Sequence, residues 1–179
     1  MLNRLKTIWN KIKYRSNVTA YAKKIDVKIG TNNRFIGFPD FGTEPWLITI
    51  GNDCVFSSNI TFITHDGSVN TIRRLDPKYK NILKFGKIVI GDNVFVGRGT
   101  TIMPNVKIGN NVVIALGSVV TKDIPEGMVV AGVPAKPICK TSELAEKLYK
   151  NSIEIDINET DKKIVSTKVA NYYFHIFKI

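Results

Sequence analysis

With 179 residues and a hydrophobic fraction of 44%, the chain is long enough for one core-bearing domain with appendages and is ordinary for a globular protein. No run approaches the ~20 apolar residues that span a bilayer, and nothing resembles a cleaved signal peptide, so a cytoplasmic protein is expected. The net charge of +11 points first to nucleic acid, but it is spread over the N-terminus, a central loop and the C-terminal part, with no nucleic-acid motif and no platform of regularly spaced aromatics. No nucleic-acid partner is expected; a polyanionic small molecule or an anionic membrane face accounts for the charge at least as well.

Residues 1–25 contain Arg4, Lys6, Lys11, Lys13, Arg15, Lys23 and Lys24 and no acid. Leu2, Leu5, Ile8, Trp9 and Ile12 fall near helical spacing, which predicts a basic amphipathic helix. Such a helix can cap the end of the following domain, the preferred reading, or make peripheral membrane contact. From Ile29-Gly30 and Phe35 a six-residue step begins, breaks over Gly37 to Trp46, and resumes at Ile50-Gly51, Phe56 and Phe62. Cys54 falls at a position of this step where a small buried residue belongs. With Cys139 it forms neither a disulfide framework nor a metal set. A second break, 67–87, carries Arg73, Arg74, Lys78, Lys80, Lys84 and Lys87 against Asp76 alone. A loop of that length inside a regular repeat is uncommon without a function.

The step is most regular from Ile90 to Pro125. Its first position reads Ile90, Val96, Ile102, Ile108, Ile114, Val120, and its fifth Val94, Thr100, Val106, Val112, Ser118, Ile124. Units this short cannot bury their own apolar side chains and must stack on copies of themselves. Six residues supply one short strand and a corner, three of which make a triangular turn of a β-helix. The first residue of each hexad is expected to point inward. Asp92-Asn93, Lys107 and Asn110-Asn111 should form polar corners facing water, and glycine at the second position should permit backbone geometry that a side chain hinders. After the repeat, Ser142 is placed as the cap of a short helix through Lys150. The tail from Asn151 alternates at Ile153, Ile155 and Ile157 and ends in Tyr172, Tyr173, Phe174 and Phe177; strands or packing on a neighbouring subunit both fit. The expected organisation is therefore 1–25, a solenoid over 26–139, and 140–179.

Two histidines are present. His175 lies in the aromatic tail, where packing is the simpler role. His65 closes the hexad Phe62-Ile63-Thr64-His65-Asp66-Gly67 where the repeat gives way to the basic loop. A neutral imidazole is the natural general base near pH 7. Asp66 follows directly, but adjacent residues of an extended chain point in opposite directions, so it is not assumed to orient the ring. Asp66, Arg73 and Arg74 are candidate acceptor contacts. Further on, Ile114 to Pro125 and Val129 to Lys136 place Thr121, Lys122 and Lys136 near the end of the repeat, a hydroxyl and two cations of the kind that suit phosphate.

The six uninterrupted hexads, with the strings Val-Thr-Lys-Asp-Ile-Pro and Ala-Gly-Val-Pro-Ala-Lys, resemble the hexapeptide-repeat acyltransferases over roughly Ile25 to Cys139. The resemblance implies an all-β, left-handed parallel β-helix, although the usual handedness rule for parallel crossovers points the other way. It implies a homotrimer with active sites between neighbouring solenoids, acetyl-CoA as co-substrate, and no metal. His65 matches the catalytic histidine, which in this family lies in or beside a loop leaving the solenoid. Thr121 and Lys122 match positions that contact coenzyme A, and Lys136 a basic position near its phosphates. Phe95 matches a tryptophan beside the acyl end, and Leu116 stands where a smaller alanine offers backbone contacts. Gly67 stands where the disaccharide branch often has a second histidine. The His-Asp-Gly string before a long basic loop looks more like bacterial cell-surface sugar O-acetyltransferases, acting on capsule or O-antigen precursors.

The expected reaction is acetyl transfer from acetyl-CoA to a sugar hydroxyl, with a free, nucleotide-linked or lipid-linked sugar as acceptor. Acetylation of an amino-sugar nucleotide, or of a streptogramin- or chloramphenicol-type drug, uses the same residues. The zinc hydration chemistry of γ-type carbonic anhydrases needs three histidines, and this chain has two. A non-enzymatic scaffold would need neither His65 nor the Thr121-Lys122 pair.

Overall fold

Three hexads close one turn of the solenoid, so every strand pairs with the strand three hexads away. In the computed structural model, which describes residues 9–10, 12–14, 16–156 and 162–177 (side chains to 170), Ile90 lies opposite Ile108, Val96 opposite Ile114 and Ile102 opposite Val120, all in parallel register. Three walls result. The first consists of β1 (Lys28–Ile29), β3 (Ile48–Ile50), β6 (Ile88–Ile90) and β9 (Val106–Ile108). The second holds β2 (Arg34–Phe35), β4 (Val55–Phe56), β7 (Phe95–Val96), β10 (Val113–Ile114), β12 (Met128–Ala131) and β13 (Lys136–Lys140). The third holds β5 (Thr61–Phe62), β8 (Thr101–Ile102) and β11 (Val119–Val120). Each coil visits the walls in that order, and β13 returns antiparallel against β12 to close the last coil.

The first-position ladder forms the core, with all six members from Ile90 to Val120 no more than 1% exposed. Burial of side chains this size contributes about 1.5–3 kcal/mol each. The fifth-position residues Val94, Thr100, Val106, Val112, Ser118 and Ile124 are buried as well. The two hydroxyls among them turn back on the chain, Thr100 Oγ1 donating to Gly97 O and Ser118 Oγ to Ala115 O, each at 2.7 Å. Small polar residues are therefore tolerated inside because their bonds close locally. Cys54 is fully buried and its thiol pKa is raised, chiefly by desolvation.

Two sequence expectations need refinement. The polar corners hold coil to coil: Thr31 N–H donates to Asn52 Oδ1, Asn52 N–H to Asp92 Oδ1, and Asp92 N–H to Asn110 Oδ1, at 2.7–2.9 Å. Second-position glycine answers close approach of the next coil. A Cβ on Gly91 would lie 2.4 Å from Asn110 Oδ1, and one on Gly97 2.4 Å from the Leu116 backbone nitrogen. The left-handed backbone at the corners is taken instead by asparagines such as Asn93 and Asn111, whose short polar side chains tolerate it.

The first coil is sealed by α1 (Val18–Lys24). Asn17 caps it by accepting from Ala20 N–H at 2.9 Å, and Lys23 and Lys24 complement its C-terminal end. Val18 and Ala22 are buried, while Tyr21 packs on Phe38 with ring centroids 4.9 Å apart. The expected single N-terminal helix is thus divided: residues 9–10 and 12–13 are helical, and Asn17 starts a separate helix. Leu2, Leu5 and Ile8 lie outside the described residues.

The break at 67–87 leaves the register intact, since Ile50 still pairs with Ile90 and Phe56 with Val96. It is an ordered excursion containing α2 (Val69–Ile72) and a 3-10 turn, Pro77–Tyr79, whose first N–H groups are met by Asp76. Residues 143–179 form a second unit. Helix α3 (Thr141–Asn151) begins one residue before the expected cap, so Ser142 is helical. The tail is α4 (Lys162–Phe177), and no strand occurs among the described residues 151–156, contrary to one of the two expectations. Ile157 and the side chains of Tyr172, Tyr173, Phe174, His175 and Phe177 lie outside the description.

Candidate active site

His65 stands at the edge where the third wall returns to the first, at the neck of the 67–87 excursion. Backbone bonds hold that neck: Gly86 N–H donates to Thr64 O and Asp66 N–H to Lys84 O, both at 2.9 Å, and His65 and Phe85 face each other across an antiparallel bridge. The backbone at His65 is therefore fixed to the solenoid on one side and to the excursion on the other. Its side chain is 48% exposed, open to an incoming hydroxyl.

Its acidic partner is Glu44, not Asp66. Glu44 Oε2 lies 2.9 Å from His65 Nδ1 and accepts from Thr64 Oγ1 at 2.6 Å, while Oε1 accepts from Thr43 Oγ1 at 2.7 Å. Burial by itself raises the Glu44 pKa. The hydrogen bonds from Thr43, Thr64 and His65, together with the His65 charge, outweigh burial and hold it below the ordinary value of 4.5. A carboxylate receiving the Nδ1 proton leaves Nε2 as the unprotonated nitrogen, the tautomer a general base needs.

The geometry also explains how Glu44 arrives there. Asp40 bridges to Thr61 in parallel, and Phe41 stacks on Phe62 with centroids 5.4 Å apart. The irregular stretch after Gly37 therefore serves as the third wall of the first coil. Glu44 stands three residues beyond Phe41, as His65 stands three beyond Phe62, so the two occupy the same corner in successive coils.

A cavity of about 180 Å³ opens beside the pair, its walls including Asp66, Asn70, Arg73, Leu83 and Phe85. Phe85 meets the imidazole edge-on at 6.4 Å and is 47% exposed. Asp66 Oδ2 pairs with Lys84 Nζ at 2.9 Å. Hydrogen bonds from the Ser68 hydroxyl, the Lys84 ammonium and the Ser68 N–H hold the Asp66 carboxyl far below the usual carboxylate range. Arg73 Nε donates to Ile82 O at 2.9 Å and Nη1 to Asn70 Oδ1 at 3.1 Å, so its guanidinium braces the excursion. Arg74 is exposed on the excursion and does not line this cavity.

Thr121, Lys122 and Lys136 come together in a second cleft, of about 350 Å³, walled also by Pro125, Pro134 and Ala135. Thr121 and Lys122 follow β11 and so lie on the same edge as His65, two coils further on, a distance of about 10 Å along the axis at ordinary strand spacing. The remaining two candidates lie elsewhere. Phe95 projects from the second wall, 41% exposed, and Leu116, 78% exposed, forms the corner between second and third walls. Within one protomer the candidates thus divide between the His65 edge and the second wall with its far corner. Glu44 carried no motif of its own; the signal that could have revealed it is the 21-residue step to His65, shared by Phe35 and Phe56.

Residues 87–122 match the family described as bacterial transferase hexapeptide (six repeats). Protein CapG of Staphylococcus aureus is 39% identical over 163 residues, covering 89% of this chain and 93% of that protein. A putative lipopolysaccharide biosynthesis O-acetyl transferase of Escherichia coli (strain K12), WbbJ, is 41% identical over 100 residues, 52% of this chain and 50% of its own length. Among solved structures, that of the polySia specific acetyltransferase NeuO superposes with a TM-score of 0.53 at 26% identity, covering 84% of this chain and 63% of that one.

Proposed function

The chain belongs to the bacterial hexapeptide-repeat acetyltransferases, which are left-handed parallel β-helices, and on that premise we propose that it moves the acetyl group of acetyl-CoA to a hydroxyl of a sugar destined for a cell-surface polysaccharide. The observation that carries the reading is the Glu44–His65 pair at a coil exit, beside a sugar-sized cavity. His65 Nε2 takes the acceptor proton as the hydroxyl oxygen attacks the thioester carbonyl. The C–O bond forms, the C–S bond breaks, and the thiolate leaves with the proton that His65 carried. Thr121, Lys122 and Lys136 hold coenzyme A in the second cleft, with the lysines as point charges against its phosphates.

The acceptor ring sits in the first cavity. Phe85 and Leu83 offer apolar surface to the C–H face of a pyranose, while Asp66 and Asn70 offer polar atoms. With Arg73 bonded to the backbone, Lys84 paired with Asp66 and Lys78 beside Asp76 at 3.9 Å, the exposed Arg74, Lys80 and Lys87 are the excursion's cations left for an anionic linkage, as in a nucleotide- or lipid-linked sugar. Release of coenzyme A thiol from acetyl-CoA, followed over a panel of free sugars, nucleotide sugars and amino sugars, tests the reading. Sugar hydroxyls of linked acceptors should turn over fastest. Transfer only to amines, or no thiol release with any sugar, would overturn it.

The working unit is a trimer in which the His65 edge of one protomer faces the second wall of its neighbour, where Phe95 and the Leu116 corner stand. The support is the separation of these residues on one prism. Co-expression of His65→Ala chains with Leu116→Trp chains, each inactive alone, should restore activity. If a site takes His65 from one protomer and Leu116 from the next, about a quarter of the sites in random trimers recover. Sites built within single protomers would recover nothing.

A further inference from the structure

Among the described residues, the first coil is sealed by α1, through Val18 and Ala22. The described helical residues before it bury no comparable apolar side chain: Trp9 is 59% exposed and Ile12 70%. Positions 9, 12 and 13 are three and four apart and share a helix face. On that face the Lys13 ammonium lies 4.9 Å from the Trp9 ring centroid and 5.7 Å from that of Tyr14. Across residues 1–25 the seven Lys and Arg side chains from Arg4 to Lys24 are opposed by no Asp or Glu. An exposed indole, an exposed branched aliphatic and a dense positive charge without compensation occur together here.

We infer that this N-terminal segment docks the protein on an anionic lipid surface. The charge selects the occupant. A second copy of the chain would bring the same uncompensated positive charge against this face, whereas an anionic bilayer neutralises it and lets Trp9 and Ile12 enter the headgroup boundary. An indole suits that boundary because its body is apolar and its N–H can remain hydrated. Seven cations among residues 1–25 suit attachment at the surface of a bilayer rather than a path across it. One such segment gives modest, reversible attachment. In the trimer proposed above, three segments on one particle would raise the avidity without new contacts.

Sedimentation of the intact protein with vesicles tests this independently of any acceptor. Mixed phosphatidylglycerol–phosphatidylcholine vesicles should carry down at least about tenfold more protein than pure phosphatidylcholine, and about 0.5 M NaCl should release most of it. Trp9→Ala with Ile12→Ala should cut the bound fraction about tenfold while thermal unfolding and coenzyme A binding stay as in the parent chain. In a Trp46→Phe background, Trp9 fluorescence should shift to the blue on the mixed vesicles. No sedimentation, equal binding to both vesicle types, or undiminished binding by the double variant would overturn the inference. So would a change of oligomeric mass in the double variant, which would mean that another copy covers this face.

Discussion

Replacing His65 by alanine is expected to lower kcat/KM for acetyl transfer by about 10²–10⁴-fold, the usual contribution of a positioned general base, while coenzyme A binding measured by calorimetry stays unchanged. The separation follows from the architecture. His65 stands at the neck of the excursion, whereas Thr121, Lys122 and Lys136 line a cleft two coils further on. The imidazole is 48% exposed and contributes no core, so its loss removes chemistry rather than packing. Residual transfer in the variant would measure what alignment of two substrates in one cleft supplies by itself. Near-normal turnover by His65→Ala would remove the general-base role.

The solenoid was legible because its signal is repeated. Each hexad restates the same demand for a branched inward residue, and the ladder from Ile90 to Val120 is buried as that period requires. The catalytic candidate was legible for the opposite reason, since a histidine breaks the pattern just where the repeat opens into a loop. What stayed hidden was set by contacts between coils. Glu44 lies in a stretch whose Gly, Pro and aromatic content masks the hexad, so only the stacking of Phe41 on Phe62 reveals that it shares His65's corner. The bracing role of Arg73 depends on the carbonyl of Ile82, nine residues away on the far arm of the excursion, and no residue pattern encodes that meeting. Alternation at Ile153 and Ile155 suggested a strand because period-two patterns in short segments occur by chance. The tail instead forms α4, begun by Lys162.

Replacing Glu44 is expected to separate orientation from charge in the same pair. Glu44 Oε2 accepts from both His65 Nδ1 and Thr64 Oγ1, and Oε1 accepts from Thr43 Oγ1. Glutamine can keep its carbonyl toward His65 and Thr64 while the Thr43 hydroxyl rotates to accept from the amide, so the ring stays aimed but loses the counter-charge for the imidazolium it becomes. Alanine removes both. Glu44→Ala should therefore lower kcat by about 10²–10³-fold and Glu44→Gln by about 10–10²-fold, both with the KM for acetyl-CoA nearly unchanged. The split between kcat and KM, with partial retention by glutamine, identifies Glu44 as a positioning residue. Its carboxyl pKa is depressed below 4.5, so its contribution is present above the unfolded value and is lost only as pH falls through the lower folded value. The carboxylate is accordingly ionised throughout the neutral range, and both deficits should be present at about pH 8. Full activity of Glu44→Gln at that pH would remove the role of the carboxylate charge. Equal losses in the glutamine and alanine variants would mean that charge carries the whole effect and that the hydrogen bond to Nδ1 contributes no orientation.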